Sequence, residues 1–201
     1  MKKIALFLNG EKPKKIPKLY NYTAVYCVDG AYHYLQAMNI KPDLIMGDFD
    51  SIEQLPEDIK HIYTPDQNFT DFEKAIKIII SQGYECVDVF AANGLEQDHF
   101  LGNMTTALKY KKQLNLKFYD DRQVYYFIKK HTVIEDVKDK IVSLFPFPKA
   151  KNVTSKGLKF PLNNLNLNMK RNKIGTRNIA IDDQVIIQFT KGNLLLFVTN
   201  K

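Results

Sequence analysis

Two patterns of apolar residues divide the chain near residue 121. In the first part, short apolar runs rich in β-branched and aromatic residues predict buried strands at 4–8, 24–28, 44–46, 61–63, 86–91 and 116–119. Apolar residues recur at helical spacing at Phe72, Ala75, Ile76, Ile79 and Ile80, and again at Leu101, Met104, Ala107 and Leu108. Alternating strands and helices predict an α/β domain, with a mainly parallel sheet covered by helices on both faces.

The second part has no helical periodicity. Apolar runs separated by turn residues predict strands at 123–128, 132–135, 141–145, 178–181, 185–189 and 194–198. We therefore predict two domains: an α/β domain at 1–121 and a small all-β sandwich at 122–201.

Composition narrows the class of protein. The chain has 201 residues, of which 45% are hydrophobic and 25% charged, as in ordinary soluble globular proteins. No apolar stretch approaches the roughly 20 residues that cross a bilayer, so we predict no membrane association.

Cys27 and Cys86 both lie in apolar runs. This is typical of buried thiols in a reducing compartment, and we predict the cytoplasm.

The net charge favours anionic partners in general. It is +7, from 29 basic and 22 acidic residues. A nucleic-acid-binding protein without catalytic activity is therefore one alternative. The lysines are spread along the chain with only short clusters, and we predict no nucleic-acid partner.

Acidic residues follow several of the predicted strands. Asp29 comes after 24–28, and Asp48 and Asp50 come after 44–46. Asp66 and Asp98 follow the next two strands in the same way. The carboxyl ends of parallel strands share one edge of a sheet, where ligands of α/β proteins bind, so these carboxylates should converge. On an extended segment Asp48 and Asp50 would point to one side and Phe49 to the other.

Crowded carboxylates repel one another unless they take up protons or share a cation. Mg²⁺ is the expected cation, and it commonly joins carboxylates to substrate phosphates. Neither glycine-rich nucleotide fingerprint is present in the sequence. Each acid also has a simpler interpretation: Thr70 and Glu73 form a capping box, Asp98 could cap a helix, and 48–51 could be a turn.

The ordered motifs resemble the thiamine pyrophosphokinase family over most of the chain. The similar segments are Asp29-Gly30-Ala31, the run from Pro42 to Ser51 that contains Gly47-Asp48-Phe49-Asp50-Ser51, Asp66 to Asp71, Asp98 to Asn103, Gly157 to Phe160, and Gly175 to Asn178. The chain departs from the family pattern at Glu96, Phe160 and Arg177, where an arginine, a tryptophan and a serine are common.

The resemblance implies transfer of the pyrophosphoryl group of ATP to thiamine, giving thiamine diphosphate and AMP. It implies Mg²⁺ as cofactor, and a homodimer with sites between subunits. The implied catalytic and metal-binding residues are Asp48, Asp50, Asp71 and Asp98. The residues implied on the ATP side are Asp29, Gln67, Thr70 and Asn103, and those on the thiamine side are Phe160, Thr176 and Asn178.

A second enzyme class also suits clustered aspartates with Mg²⁺. A metal-dependent phosphodiesterase or nuclease uses such carboxylates for two-metal hydrolysis. Formation of AMP only in the presence of thiamine distinguishes the kinase from the hydrolase.

Overall fold

The computed structural model describes residues 2–52 and 54–200. The chain divides into two compact units, Met1–Asp121 and Arg122–Lys201, which we call the α/β unit and the β unit. The fold is mixed α/β, with three α-helices among the described residues. The finer predictions, helices on both sheet faces and a β-sandwich, remain predictions.

The α/β unit contains a parallel sheet. Its strands are β1 (Lys3–Phe7), β2 (Ala24–Val28), β3 (Leu44–Gly47), β4 (Lys60–Tyr63), β5 (Cys86–Phe90) and β6 (Asn115–Tyr119). They lie in the order β4-β3-β2-β1-β5-β6, and every pair is parallel. Strands β2, β3 and β4 lie successively on one side of β1, and strands β5 and β6 lie on its other side. This reversal of strand order creates a crevice at the carboxyl ends of β1 and β5.

Three helices connect these strands: α1 (Ala31–Ala37), α2 (Asp71–Ser81) and α3 (Gln97–Tyr110). In α2 the predicted apolar positions Phe72, Ala75 and Ile79 are buried, as their spacing requires. In α3 the buried face contains Met104 and Ala107, whereas Leu101, which we expected on that face, is 57% exposed. The short α1 was not predicted, because seven residues contain too few turns for a periodic signal.

The β unit is antiparallel. Its strands are β7 (Gln123–Phe127), β8 (His131–Ile134), β9 (Ile141–Lys156), β10 (Leu165–Asn168), β11 (Gly175–Ile179), β12 (Val185–Gln188) and β13 (Lys191–Thr199). The order is β7-β13-β9-β12-β8, and β10 and β11 also pair with β9. The long β9 therefore contacts four other strands and organises the unit.

β9 is much longer than the predicted strand at 141–145. The predicted strand ends just before Pro146 and Pro148, residues that cannot donate to a strand ladder. In the structure, a register shift between Gly192 and Leu194 of β13 accommodates this part of β9. Asn193 Nδ2 also donates to the Phe147 carbonyl at 3.0 Å. β10 was missed because its asparagine-rich sequence resembles a loop.

Each unit has its own buried core. The core of the α/β unit includes Phe7, Cys27, Leu35 and Ile45, and that of the β unit includes Val142, Leu144, Val185, Ile187 and Leu196. Cys27 and Cys86 are both buried, as predicted. None of the described helices combines the length and the apolar character needed to cross a membrane.

Candidate active site at the carboxyl edge of the parallel sheet

Three carboxylates meet where β2 and β3 end. One oxygen each of Asp29, Asp48 and Asp50 lies within 4.8 Å of the other two. Asp29 directly follows β2, and its backbone N–H donates to the Met46 carbonyl of β3 at 2.8 Å. The convergence expected from parallel strand ends is therefore observed for these three residues.

The backbone at these strand ends is unusual. Asp29, Phe49 and Ala91 follow β2, β3 and β5 and have positive φ angles of 41°, 62° and 54°. Such angles are costly for residues with a Cβ, and they concentrate at functional sites. Our prediction of an extended segment at 48–50 was wrong, because Phe49 is left-handed. Gly47 is needed here, because a Cβ at that position would lie 2.9 Å from Asp29 Cβ.

The charges of this carboxylate cluster are only partly balanced. Ser51 Oγ donates to Asp29 Oδ2 at 2.7 Å, whereas Asp29 Oδ1 is buried and accepts no hydrogen bond from the described residues. Burial raises the pKa of Asp29, Ser51 opposes this, and the charges of Asp50, Asp48 and Asp71 raise the pKa further. Gln67 Nε2 donates to Asp48 Oδ2 at 2.8 Å, which lowers the pKa of Asp48.

This donor set fits a hard divalent cation. It offers several carboxylate oxygens close together, and Asp29 also has a buried oxygen that accepts no hydrogen bond from the described residues. Oxygen ligands of this kind suit Mg²⁺, and a bound cation would remove the mutual repulsion of the carboxylates.

The start of α2 supplies a further acid and its counter-charge. Thr70 caps the helix, accepting from the Glu73 N–H at 3.2 Å. Asp71 Oδ1 lies 2.6 Å from Lys74 Nζ, which also donates to the Thr64 carbonyl at 2.7 Å. Lys74 is only 7% exposed. This lysine was not predicted as a site residue, although its position three residues after Asp71 on a helix indicates the pairing.

Only half of the predicted capping box forms. The Glu73 carboxylate does not return to Thr70 but binds α3, accepting from Lys109 Nζ at 2.6 Å and Tyr110 Oη at 2.9 Å. Burial alone would raise the pKa of Glu73, but the hydrogen bonds from Lys109 and Tyr110 outweigh it and lower the pKa. Glu73 therefore joins α2 to α3.

A cavity of about 720 Å³ opens beside Asp29 and Asp71. This volume is within the usual range for small-molecule sites, roughly 300–1,000 Å³. Among the residues predicted for the ATP side, Asp29, Gln67, Thr70 and Asn103 line the cavity. Asn103 Nδ2 donates to the Ala92 carbonyl at 2.9 Å, which ties α3 to the loop after β5. Asn9 and Asn93 also line the cavity and were not predicted.

Asp98 lies apart from the carboxylate cluster. It is in the first turn of α3, where its Oδ1 accepts from the His99 N–H at 2.9 Å. With Glu96 and His99 it forms a second, exposed group whose ligand atoms lie within 4.8 Å of one another. It does not cap α3, because the capping position is occupied by Glu96. Asp66 hydrogen-bonds to Asn68 and also lies outside the cluster.

The residues predicted for the thiamine side are in the β unit. Phe160 is 65% exposed, whereas Asn178 is 9% exposed. Asn178 Oδ1 accepts from the Phe160 N–H at 3.0 Å, and its Nδ2 donates to the Phe160 carbonyl at 2.6 Å. Thr176 is exposed on β11, and the neighbouring Arg177 has a φ of 55°. The amide of Asn178 thus holds the backbone that carries an exposed ring.

Two family models match the chain. The thiamin pyrophosphokinase catalytic domain matches residues 18–118, and the thiamin pyrophosphokinase vitamin B1 binding domain matches residues 130–194. A curated thiamine pyrophosphokinase from Bacillus subtilis is 27% identical over 211 residues, covering 98% of each chain.

Solved structures of the same name share the fold. The crystal structure of thiamine pyrophosphokinase from Bacillus subtilis superposes with a TM-score of 0.85 at 26% identity, covering 98% of this chain and 99% of that one. That of thiamin pyrophosphokinase from Geobacillus thermodenitrificans gives a TM-score of 0.84 at 23% identity, with 99% and 98% covered. Because the two family models together cover most of the sequence, this chain belongs to the thiamine pyrophosphokinase family, the enzymes that form thiamine diphosphate.

Proposed function

We propose that the carboxylate cluster and the adjoining cavity bind ATP with Mg²⁺ and transfer its pyrophosphoryl group to thiamine. The observation that carries this proposal is the meeting of Asp29, Asp48 and Asp50, together with the buried Oδ1 of Asp29, which accepts no hydrogen bond from the described residues. An anionic triphosphate cannot approach such a cluster unless a cation lies between them, and this links the metal to the nucleotide.

In the proposed reaction the hydroxyl oxygen of thiamine attacks the β-phosphorus of ATP. The bond from this phosphorus to the oxygen bridging to the α-phosphate breaks, and AMP leaves with the electron pair. The hydroxyl proton passes to a base, for which the aspartates of the site are the candidates. The products are thiamine diphosphate and AMP.

Asp48 and Asp50, together with Asp29, would hold the Mg²⁺. When bound, the cation would neutralise charge on the phosphate oxygens and favour the departure of AMP. The hydrogen bond from Gln67 keeps Asp48 ionised and in place. Asp71 is the fourth acid of this proposal, because its charge acts on Asp29, and the ion pair with Lys74 holds its orientation.

We propose a different role for Asp98. It remains our candidate for a metal or substrate contact from α3, beside Glu96 and His99, which line the cavity. Because Asp98 does not join the cluster of Asp29, Asp48 and Asp50, we propose that it contacts a second ion or acts through a water molecule.

On the thiamine side, we propose that the exposed ring of Phe160 stacks on the substrate and that Thr176 offers a hydroxyl. We further propose that Asn178 acts by positioning, because its amide oxygen and nitrogen are engaged with the backbone of Phe160. The homodimer with sites between subunits and the cytoplasmic location also stay proposals.

An assay of AMP formation tests this function. With ATP and Mg²⁺, the protein should release AMP only when thiamine is added, and Asp48→Asn should lower that rate by about a hundredfold or more. The matched control is Asp58→Asn, which removes an exposed acid paired with Lys41 away from the cluster. AMP release without thiamine would indicate a hydrolase. An equal loss of thiamine-dependent AMP release in Asp48→Asn and Asp58→Asn would contradict a specific role for Asp48.

A further inference from the structure

The positive charge of the protein is concentrated in the β unit. Residues 122–201 contain 15 of the 29 basic residues but only 5 of the 22 acidic ones, a net charge of +10. The α/β unit therefore has a net charge of −3. The lysines alone do not indicate this difference in net charge, because it comes mainly from the small number of acidic residues in the β unit.

Part of this charge lines one groove. Four basic side chains, together with the asparagines 166 and 168, surround a volume of about 390 Å³ between β9, β10 and the 3₁₀ turn that follows β10. The four are Lys149, Lys151, Arg171 and Lys173. No acidic and no aromatic residue belongs to the lining. We call this feature the basic groove.

The strand geometry directs the lysines of β9 outward. Lys149 and Lys151 alternate with Ala150, which is fully buried in the core of the β unit. Asn168 of β10 pairs with Lys149, and Lys191 of β13 pairs with Lys151. Directly opposed like charges destabilise a sheet, so the pair of Lys151 and Lys191 costs stability in the absence of an anion.

Internal counter-ions do not balance this charge. Within residues 2–52 and 54–200, no ion pair involves Lys149, Lys151, Arg171 or Lys173. The acidic residues of the β unit lie in the turns at 135–139 and 182–183, which hydrogen-bond to each other through Val137 N–H and the Asp183 carbonyl. Both ends of β9 lie near these turns, because Ile141 pairs with Ile179 and Ile186 pairs with Lys156.

The backbone around the basic groove is held by asparagine side chains. Asn152 N–H donates to Asn166 Oδ1 at 3.1 Å, and Asn152 Nδ2 donates to Asn164 Oδ1 at 2.7 Å. Thr190 Oγ1 donates to Asn152 Oδ1 at 2.8 Å. A cationic lining on such a fixed frame can bind an anion with little loss of conformational entropy.

We propose that the basic groove binds a small oligophosphate, at a site separate from the carboxylate cluster. Four cations and two amides match a ligand with several negative charges, through charge-assisted hydrogen bonds. The volume suits a small molecule, within the range of roughly 300–1,000 Å³. A single-stranded nucleic acid is the less favoured ligand, because its binding sites usually add aromatic side chains on which bases stack.

Calorimetry with inorganic tripolyphosphate in EDTA tests the proposal. Without a divalent cation the carboxylate cluster repels this anion, so any saturable binding reports on a cationic site. We expect one-to-one binding at 150 mM salt, weakened about tenfold or more by the double variant Arg171→Gln/Lys173→Gln, because charge-assisted hydrogen bonds are lost. Thiamine-dependent AMP release by this variant should stay within about twofold of the parent, since the basic groove is not proposed to take part in catalysis.

The matched control is Lys129→Gln/Lys130→Gln, which removes the same charge from two exposed positions of the β unit outside the groove lining. It should weaken binding by less than about twofold, because neither side chain lines the groove and salt screens exposed charges that do not contact the ligand. The proposal is overturned by an absence of saturable binding, by equal weakening in both double variants, or by displacement of tripolyphosphate by a substoichiometric single-stranded RNA. Because the measurement excludes metal and thiamine, its outcome is independent of the proposed catalytic activity.

Discussion

The two units of this chain use their polar residues in opposite ways. In the α/β unit, acids gather at a strand edge and leave a buried oxygen of Asp29 without a donor. In the β unit, a buried polar side chain, Asn178, is satisfied by the backbone of Phe160 and presents an exposed ring. The α/β unit contains the ion pairs of Asp88 with Lys3 and of Asp71 with Lys74, and it is nevertheless the unit with the unbalanced site.

The two units thus arrange their candidate site residues in different ways. A cluster of like charges is costly until a ligand neutralises it, so its residues should matter far more for activity than for stability. A buried amide that holds a loop should matter for both, because its loss leaves backbone groups unsatisfied. Substitutions in the carboxylate cluster should therefore lower activity with little change in stability, whereas substitution of Asn178 should lower both.

The largest effect should come from Asp71→Asn in the α/β unit. We expect the turnover number to fall about a thousandfold, because the change removes a charge from the reacting site, while the thermal unfolding temperature falls only slightly, because the new amide oxygen can still accept from Lys74. Thiamine-dependent AMP release and a thermal melt measure the two quantities. A variant that keeps most of its AMP release would exclude a catalytic role for Asp71.

Phe160→Ala in the β unit should raise the KM for thiamine and leave the KM for ATP unchanged. Loss of the exposed ring should raise the KM for thiamine by about tenfold or more, because stacking contributes about 1–3 kcal/mol. Phe160→Trp should keep or improve the affinity. Ile181→Ala, which truncates another exposed apolar residue of the β unit, is the control. An equal rise in the KM for ATP would contradict a role confined to thiamine.

Asn178→Ala should change both activity and stability. Removing the amide leaves the Phe160 N–H and carbonyl without their partner, at a cost of about 1–3 kcal/mol in the free energy of unfolding. The KM for thiamine should rise several-fold, and the double variant with Phe160→Ala should be no worse than Phe160→Ala alone. Additive losses in KM would instead indicate that Asn178 touches thiamine directly.

The smallest effect concerns the contact between α2 and α3. Glu73→Gln should cost about 0.5 kcal/mol of stability at neutral pH, as expected for a partly exposed ion pair. The folded state lowers the pKa of Glu73, so its stabilisation is present above the ordinary value of 4.5 and is lost as the pH falls below it. Urea unfolding of both proteins at several pH values measures this, with the exposed Glu57→Gln as control. A difference that does not shrink as the pH falls below 4.5 would contradict the ionic origin.

Much of the α/β unit follows from local sequence. The predicted strand at 24–28 has the bounds of β2, and Thr70 caps α2 as its sequence indicates. The meeting of Asp29 and Asp48 follows from the shared carboxyl edge of parallel strands. These features were predictable because each depends on a short segment or on one general rule of sheet geometry.

Other features depend on long-range packing and left no local signal. The left-handed Phe49, the outward-facing Leu101 and the pairing of Glu73 with α3 are set by neighbours distant in sequence. In the β unit, the link between Asn178 and Phe160 spans 18 residues. The basic groove forms because β10, which the sequence did not predict, brings Arg171 and Lys173 towards Lys149.

Binding of a divalent cation tests the central claim most directly. Mn²⁺ binding, followed by electron paramagnetic resonance and competed with Mg²⁺, can be compared between the parent and Asp48→Asn/Asp50→Asn. We predict saturable binding by the parent, displaced by Mg²⁺, and a loss of affinity of about tenfold or more in the double variant. Equal affinity in the two proteins would contradict a cation site built from these carboxylates.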